Sequence, residues 1–316
     1  MYKKFFIGIV SVGIIISIFF ISLAYLLSGK NIWNDNFPSN VLNEHRRIAE
    51  NIKKPKILII SGSNSLFGVD TEKMSKVLKY PVVNFGVHAG LELDYIFYDA
   101  KKSIRDNDIV VLPIEYSIYY ENKLSETRNI QIWQNDKQYF NDLLFKDKIK
   151  LLWSIPFSLE GMVLKTYIGT PARQEIQSEY TTINKNGDSV NTLETKEKSI
   201  QLEEPFNKKK IYLDDETRKI IIDFLNYCKE KNVKVFVTYP PYYYKQKYFD
   251  GYNLEQINKI NQFWKEQDVI ILGKYTDFVY TDRNDFYDTA YHLNIKGREK
   301  RTEKLIELLK PYINNN

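Results

Sequence analysis

Cysteine and histidine are nearly absent from this chain. One cysteine, Cys228, stands among 316 residues, which excludes a disulfide scaffold and any cysteine-based zinc or iron–sulfur site. Three histidines, His45, His88 and His292, restrict histidine-dependent chemistry to three positions that can be weighed one by one. Neither sign of charge is in large excess. The 45 Lys+Arg against 40 Asp+Glu leave a formal net charge of +5, too dilute for a dedicated nucleic-acid binder, which clusters its charge. A mean hydropathy of −0.41 speaks against a polytopic membrane protein, while 43% hydrophobic residues suffice for a core.

The apolar residues are unevenly spread. Phe5 to Ser28 holds 24 positions without a charge, dominated by Ile, Phe, Val and Leu. As a helix this run is about 36 Å long, enough to cross a hydrocarbon core of about 30 Å with some tilt. Lys3 and Lys4 precede it and favour a cytoplasmic N-terminus. A cleaved secretory signal is the alternative, but its apolar region is usually about 7–15 residues, and Ser-Leu-Ala-Tyr-Leu-Leu-Ser is not a clean cleavage site. The expectation is a single-pass signal anchor over residues 1–30, followed by an extracytoplasmic chain: a stalk or first helix over 31–54, then one α/β domain over 55–316.

Within that domain, Lys56-Ile-Leu-Ile-Ile60, Val82-Val83 and Ile109-Val-Val-Leu112 are short continuous apolar runs. Such runs suit strands buried on both faces of a parallel sheet. Thr71–Leu78 and Leu91–Arg105 lie between them with helical spacing, which predicts right-handed βαβ units. After a long gap the alternation resumes, with a helix over Asp214–Lys231, a strand over Val233–Tyr239, a helix over Leu254–Gln267, a strand over Val269–Leu272 and a closing helix over Ile295–Leu309. The prediction is a five-stranded, parallel, doubly wound sheet split by an insertion at about 116–212. Inside the insertion, Phe140–Leu152 reads as a helix. Asn186-Gly187, between β-favouring stretches over Tyr180–Thr192, is the strongest hairpin signal in the chain.

Function in an open parallel sheet gathers at the carboxyl ends of the strands. The first strand is followed by Ser61-Gly-Ser-Asn-Ser65, the second by Asn84-Phe-Gly-Val-His-Ala-Gly90 and the third by Glu115. Asp288 and His292 stand just before the closing helix, with Gly297 in its first turns. A histidine that serves as base to a nucleophilic serine needs a carboxylate to orient it. With so few histidines available, one beside an aspartate is read as functional rather than as a chance neighbour of a helix cap. His45, on a charged helical stretch, is expected to be solvated. His88 either lines the cleft or satisfies a local hydrogen bond.

These residues carry a resemblance. Gly-Ser-Asn-Ser-Leu-Phe-Gly68 after a first strand, Asn84-x-Gly86 with Gly90 after a second, and a C-terminal Asp…His-Leu-Asn resemble the SGNH/GDSL hydrolase superfamily, whose sheet is flavodoxin-like. More closely, the chain looks like its membrane-anchored, extracytoplasmic branch. That branch includes proteins acting beside membrane-bound O-acyltransferases in cell-surface polysaccharide acetylation, and the D-alanylation protein of teichoic acid synthesis. The resemblance covers roughly 55–116 and 212–310.

The resemblance implies a serine nucleophile in the first block, oxyanion donors in the second and third, and the Asp288–His292 pair in the last. Ser63 overlays the family's serine, although counting back from Gly68 brings Asn64 to that place, with Ser65 one residue further. The backbone N–H groups of Asn64 and Gly90 are the oxyanion candidates. The family's third-block asparagine is missing, and Ile114-Glu115-Tyr116 stands there instead. Tyr239-Pro-Pro-Tyr-Tyr-Tyr244, at the end of the fourth strand, could stack on sugar rings. No metal site or cofactor is expected.

Two functions follow as expectations. One is a serine-dependent O-acyltransferase or esterase working on O-acyl groups, such as acetyl, of a cell-envelope glycopolymer, with a membrane-bound O-acyltransferase as partner and the lipid bilayer as support. The other is an accessory protein that keeps the fold, has lost the hydrolytic site, and binds the polymer or that partner. A nucleotide-binding reading is weaker, because Ser-Gly-Ser-Asn-Ser-Leu-Phe-Gly lacks the GxGxxG spacing.

Overall fold

A computed structural model describes residues 2–30, 37–120, 125–168, 182–190, 205–245 and 251–313. The chain divides into two compact units, Met1–Ser39 with Asn122–Gln177, and Asn40–Glu121 with Ser178–Asn316.

The first unit is helical among its described residues. It opens with α1 (Tyr2–Leu27), long and apolar enough to cross a membrane, with a mean hydropathy of 2.7 over its best window. Four helices come from the other segment: α6 (Glu126–Asn135), α7 (Lys137–Asp142), α8 (Phe145–Ser154) and α9 (Phe157–Tyr167). A single helix was expected over Phe140–Leu152, but the chain breaks at Leu143 and Leu144, whose backbones are extended. Trp133 on α6 ties down the end of α1: its indole N–H donates to the Ala24 carbonyl at 2.7 Å, and its own carbonyl accepts from Gly29 N–H at 2.7 Å.

The second unit holds the sheet. The strands are β1 (Ile57–Ser61), β2 (Val82–Gly86), β3 (Ile109–Leu112), β4 (Lys234–Val237) and β6 (Ile270–Ile271), all parallel, in the order β2-β1-β3-β4-β6. A pair of two-residue strands, β5 (Tyr242–Tyr243) and β7 (Val279–Tyr280), lies apart from it. β1, β2 and β3 are buried along their whole length, which is why they read as continuous apolar runs. β4 and β6 are shorter than the sequence suggested: β4 pairs with β3 over four residues, and β6 with β4 over two.

The strand order decides where the helices go. The chain steps one way from β1 to β2 and the other way from β2 through β3, β4 and β6. Right-handed crossovers therefore put α4 (Thr71–Leu78) on one face, and α5 (Glu92–Lys101), α10 (Asp215–Glu230) and α11 (Gly251–Glu266) on the other. The closing helix α12 (Ile295–Ile313) packs on α4, and α10 packs on α5, where Phe97 and Phe224 stack 4.1 Å apart. The sheet is thus doubly wound. Its order reverses between β1 and β3, and in such folds the crevice outside that reversal receives ligands.

Helix α2 (Phe37–Asn51) is no solvated stalk over its C-terminal part. Val41, Leu42, His45, Ile48 and Ala49 are buried in it, so the solvated reading of His45 is corrected. The Asn186-Gly187 signal yields a tight turn closed by one antiparallel bridge, Ile183 to Ser189, rather than a paired hairpin among the described residues; Tyr180, Thr181, Asn191 and Thr192 lie outside them. Gly187 takes φ +95°, and a side chain there would meet the Asn84 carbonyl at 2.6 Å, so glycine is required.

Candidate active site

Ser63 opens α3 (Ser63–Gly68), a short helix that starts two residues after β1 ends. Across residues 61–69 every position except Ser63 is buried. The alternatives for the nucleophile part company on this point. Ser65 is fully buried, and its hydroxyl lies 2.6 Å from that of Ser61. Asn64 is buried and saturated: its Nδ2 donates to the Pro113 carbonyl at 2.8 Å, and its Oδ1 and carbonyl each accept from Arg301 at 2.7 Å.

Asp288 and His292 come from the loop before α12. A single antiparallel bridge joins Phe286 to Leu293, and Tyr287 N–H donates to the His292 carbonyl at 2.9 Å. This closes a tight loop whose two ends face each other, which lets residues four apart meet outside a helix. Asn294 then caps α12, its Oδ1 accepting from the N–H groups of Lys296 and Gly297.

The three side chains form a continuous line. His292 Nε2 lies 2.8 Å from Ser63 Oγ, and His292 Nδ1 lies 2.7 Å from Asp288 Oδ1. Burial pushes the Asp288 carboxyl up, yet the hydrogen bond and charge of His292, with nearby backbone N–H groups, outweigh it and hold the group below its ordinary range. The ionised carboxylate fixes the imidazole with Nδ1–H toward Asp288. Nε2 is then free to accept the Ser63 hydroxyl proton. The His292 and Phe67 rings also pack in a T-shaped arrangement, with centroids 4.5 Å apart.

A cavity of about 180 Å³ opens beside Ser63 and His292, lined also by Ala89, Glu115, Ser117 and Ala290. Glu115, which replaces the expected asparagine, works as an acceptor. Its Oε2 receives Gly62 N–H and its Oε1 receives Asn64 N–H, both at 2.9 Å. Gly62 is glycine for this reason, since a Cβ would collide with the Glu115 carboxylate. Asn64 N–H is therefore already engaged, and Gly90 N–H donates to His88 Nδ1 at 3.0 Å. Neither expected oxyanion donor is offered to the cavity in this state. Ala89, which the sequence reading passed over, lines the cavity instead.

Tyr239 is not brought to this site. It is 8% exposed, donates its hydroxyl to Asn261 Oδ1 at 2.9 Å, and borders a separate small recess with Tyr116 and Trp264. His88 is exposed beside the cavity. Asn84 is structural, as its Oδ1 accepts Gly86 N–H and its Nδ2 donates to the Ser65 carbonyl and to Asp188. Asp188 was missed. Fully buried, it accepts from Asn84, Thr71 N–H, Thr71 Oγ1 and Asn184, and so ties the 182–190 turn to the middle of β2 and the start of α4. Nothing in an Asn-Gly-Asp turn motif signals a distant partner.

No family model matches the chain, and no curated protein matches it. The solved structure of a candidate acylhydrolase from Bacteroides fragilis superposes with a TM-score of 0.43 at 10% identity, over 86% of this chain and 95% of that one, a likeness too distant to carry a function across.

Proposed function

We propose that this protein is a membrane-anchored serine enzyme of the SGNH/GDSL type, which transfers or hydrolyses O-acyl groups of a cell-envelope glycopolymer. The observation that carries the reading is the 2.8 Å and 2.7 Å pair of contacts linking Ser63, His292 and Asp288. Ser63 Oγ attacks the acyl carbonyl carbon while His292 Nε2 takes the hydroxyl proton. The tetrahedral intermediate collapses, the C–O bond to the leaving alcohol breaks, and His292 returns the proton to that oxygen. An acyl-Ser63 ester remains, and a polymer hydroxyl or water, deprotonated in turn by His292, releases it. Asp288 stabilises the imidazolium throughout.

The cavity walls support a small acyl group such as acetyl, since Ala89, Ala290 and Ser117 are short and the space is about 180 Å³. Ser63 and Ala89 both line the cavity, and their N–H groups are the donors this reading assigns to a developing oxyanion. Helix α1 supports a site held near a bilayer, where a membrane-bound O-acyltransferase could supply the acyl group. A second reading has its own observation. With Asn64 N–H and Gly90 N–H engaged, the site has fewer free donors than the family pattern implies, which favours an accessory protein that binds polymer or partner without chemistry.

A serine-reactive fluorophosphonate separates the two. The wild-type chain is expected to label, with labelling lost in both Ser63→Ala and His292→Ala. If the folded wild-type protein does not label, the catalytic reading gives way to the accessory one.

A further inference from the structure

We propose that α8 is an interfacial helix, which lays Leu144, Phe145 and Trp153 into the lipid leaflet at the C-terminal end of α1. The inference rests on the reading of α1 as a membrane-spanning helix and adds a second, residue-level contact with the bilayer. Every observation behind it lies within the first unit.

The first concerns depth. From Tyr2 to Ile16 all of α1 is exposed, but Ser17, Phe20, Ile21, Leu23, Ala24 and Leu27 are partly or fully covered. These positions follow a spacing of three and four, one stripe of a helix. Helices α8 and α9 both pack on α1. A hydrocarbon core of about 30 Å takes about 20 residues of helix. With the apolar run beginning at Phe5, positions 17 to 24 fall in the half of the core nearer the C-terminal end of α1. Helices that cover that stripe start below the headgroups, and their outward surfaces meet lipid.

The second concerns chemistry. Leu144 is 64% exposed, Phe145 78% and Trp153 58%. Three large apolar side chains open on one ten-residue helix and its first flank are costly in water. Lys146 and Lys150 are exposed on the same helix, between Phe145 and Trp153. Aromatic rings with lysines among them suit the interface, where rings sit at headgroup level and ammonium groups reach lipid phosphates. The occupant is therefore a bilayer with anionic headgroups, continuous with the lipid around α1. Glu160 on α9 is consistent with this. It is buried, and one of its carboxylate oxygens has no partner among the described residues.

The test uses the full chain in vesicles of phosphatidylglycerol and phosphatidylcholine. Cys228→Ala removes the single native thiol, and nitroxide labels follow at Phe145→Cys, Trp153→Cys, Ile14→Cys and Lys219→Cys in separate proteins. Lys219 lies on an exposed surface of α10 and serves as the aqueous reference. Labels at 145 and 153 are expected to collide with oxygen and lose collision with a water-soluble nickel chelate, as the label at 14 does, while 219 shows the reverse. Lipid-like behaviour at 14 with water-like behaviour at 145 and 153 overturns this inference alone; it is also the result expected if the patch serves a protein partner. Water-like behaviour at 14 as well overturns the membrane-spanning reading on which it rests. All labels replace exposed side chains, so a failure to fold is not the expected cause of any of these outcomes.

Discussion

Glu115 brackets Ser63, one carboxylate oxygen holding the N–H before the serine and the other holding the N–H after it, each at 2.9 Å. The two strands that deliver these residues, β1 and β3, are hydrogen-bonded neighbours on either side of the point where the strand order reverses. The clamp sets the direction of the first turn of α3 and thereby the direction of the Ser63 side chain. A glutamate suits that task because, when ionised, it offers two acceptors and no donor.

Glu115→Gln keeps the size but turns one acceptor into a donor facing a backbone N–H. One of Gly62 and Asn64 then loses its partner in a buried place, at a cost of about 1–3 kcal/mol. Thermal unfolding in detergent is expected to report a destabilised protein, and fluorophosphonate labelling of Ser63 is expected to slow. Unchanged stability together with unchanged labelling would show that the clamp does not position the serine.

Asp288→Asn tests the orientation of His292. The amide can present a donor where the carboxylate accepted, which favours the tautomer with the proton on Nε2, the atom that should receive the Ser63 proton. The labelling rate is expected to fall by roughly 10²–10⁴-fold, in the range that a positioned acid–base group supplies, with the fold retained. Because the Asp288 carboxyl is held below its ordinary value, the wild-type pair should stay intact as pH falls to about that of an ordinary aspartate. Labelling lost well above that pH through protonation of Asp288 would contradict the assignment.

Much of this arrangement was legible in the sequence because it is local. Lys56–Ile60 reads as a buried strand from its own residues, and Ser63 follows it closely enough that its placement at the strand end is automatic. Asp288 and His292 share one loop, so the pair could be seen without knowing the fold. What escaped depends on residues distant in sequence. His45 looked solvated because its helix is charged, yet its Nε2 lies 2.9 Å from the Gly187 carbonyl, 142 residues away. Asn64 looked available as a donor because nothing in its surroundings announces that Glu115 accepts from it, whereas Gly90 N–H is taken by the local hydrogen bond to His88 that the sequence left open. Tyr239 sat at the right strand end but turned inward, since tyrosine fills a core as readily as it lines a cleft.

Asp188 is the anchor of the 182–190 turn, and Asp188→Ala strips Thr71 N–H of its acceptor and leaves Asn84 Nδ2 and Thr71 Oγ1 each short of one. Buried donors without partners cost roughly 1–3 kcal/mol each. Because Ser189 N–H donates to the Leu66 carbonyl on α3, loosening the turn is expected to reach the helix that carries Ser63. Chemical denaturation should give a clearly lower midpoint, and hydrogen exchange should rise at residues 64–68. Exchange unchanged there, with the midpoint lowered, would confine the role of Asp188 to α4 and β2.

His45 makes the stability of the second unit depend on pH. The ring is fully buried and tilted against Phe85, its Nδ1 has no partner among the described residues, and burial lowers its pKa to about 4 from an ordinary 6.5. Between these values the unfolded chain binds a proton that the folded chain does not, so stability is full above about pH 6.5 and drains away as pH falls toward 4. At about 1.4 kcal/mol per pH unit the loss reaches about 3 kcal/mol. His45→Gln keeps a side-chain N–H for the Gly187 carbonyl but cannot take up the proton. Denaturant unfolding from pH 7 to 4.5 should therefore show a steeper decline in the wild type than in the variant, and parallel declines would mean that another group carries the acid sensitivity.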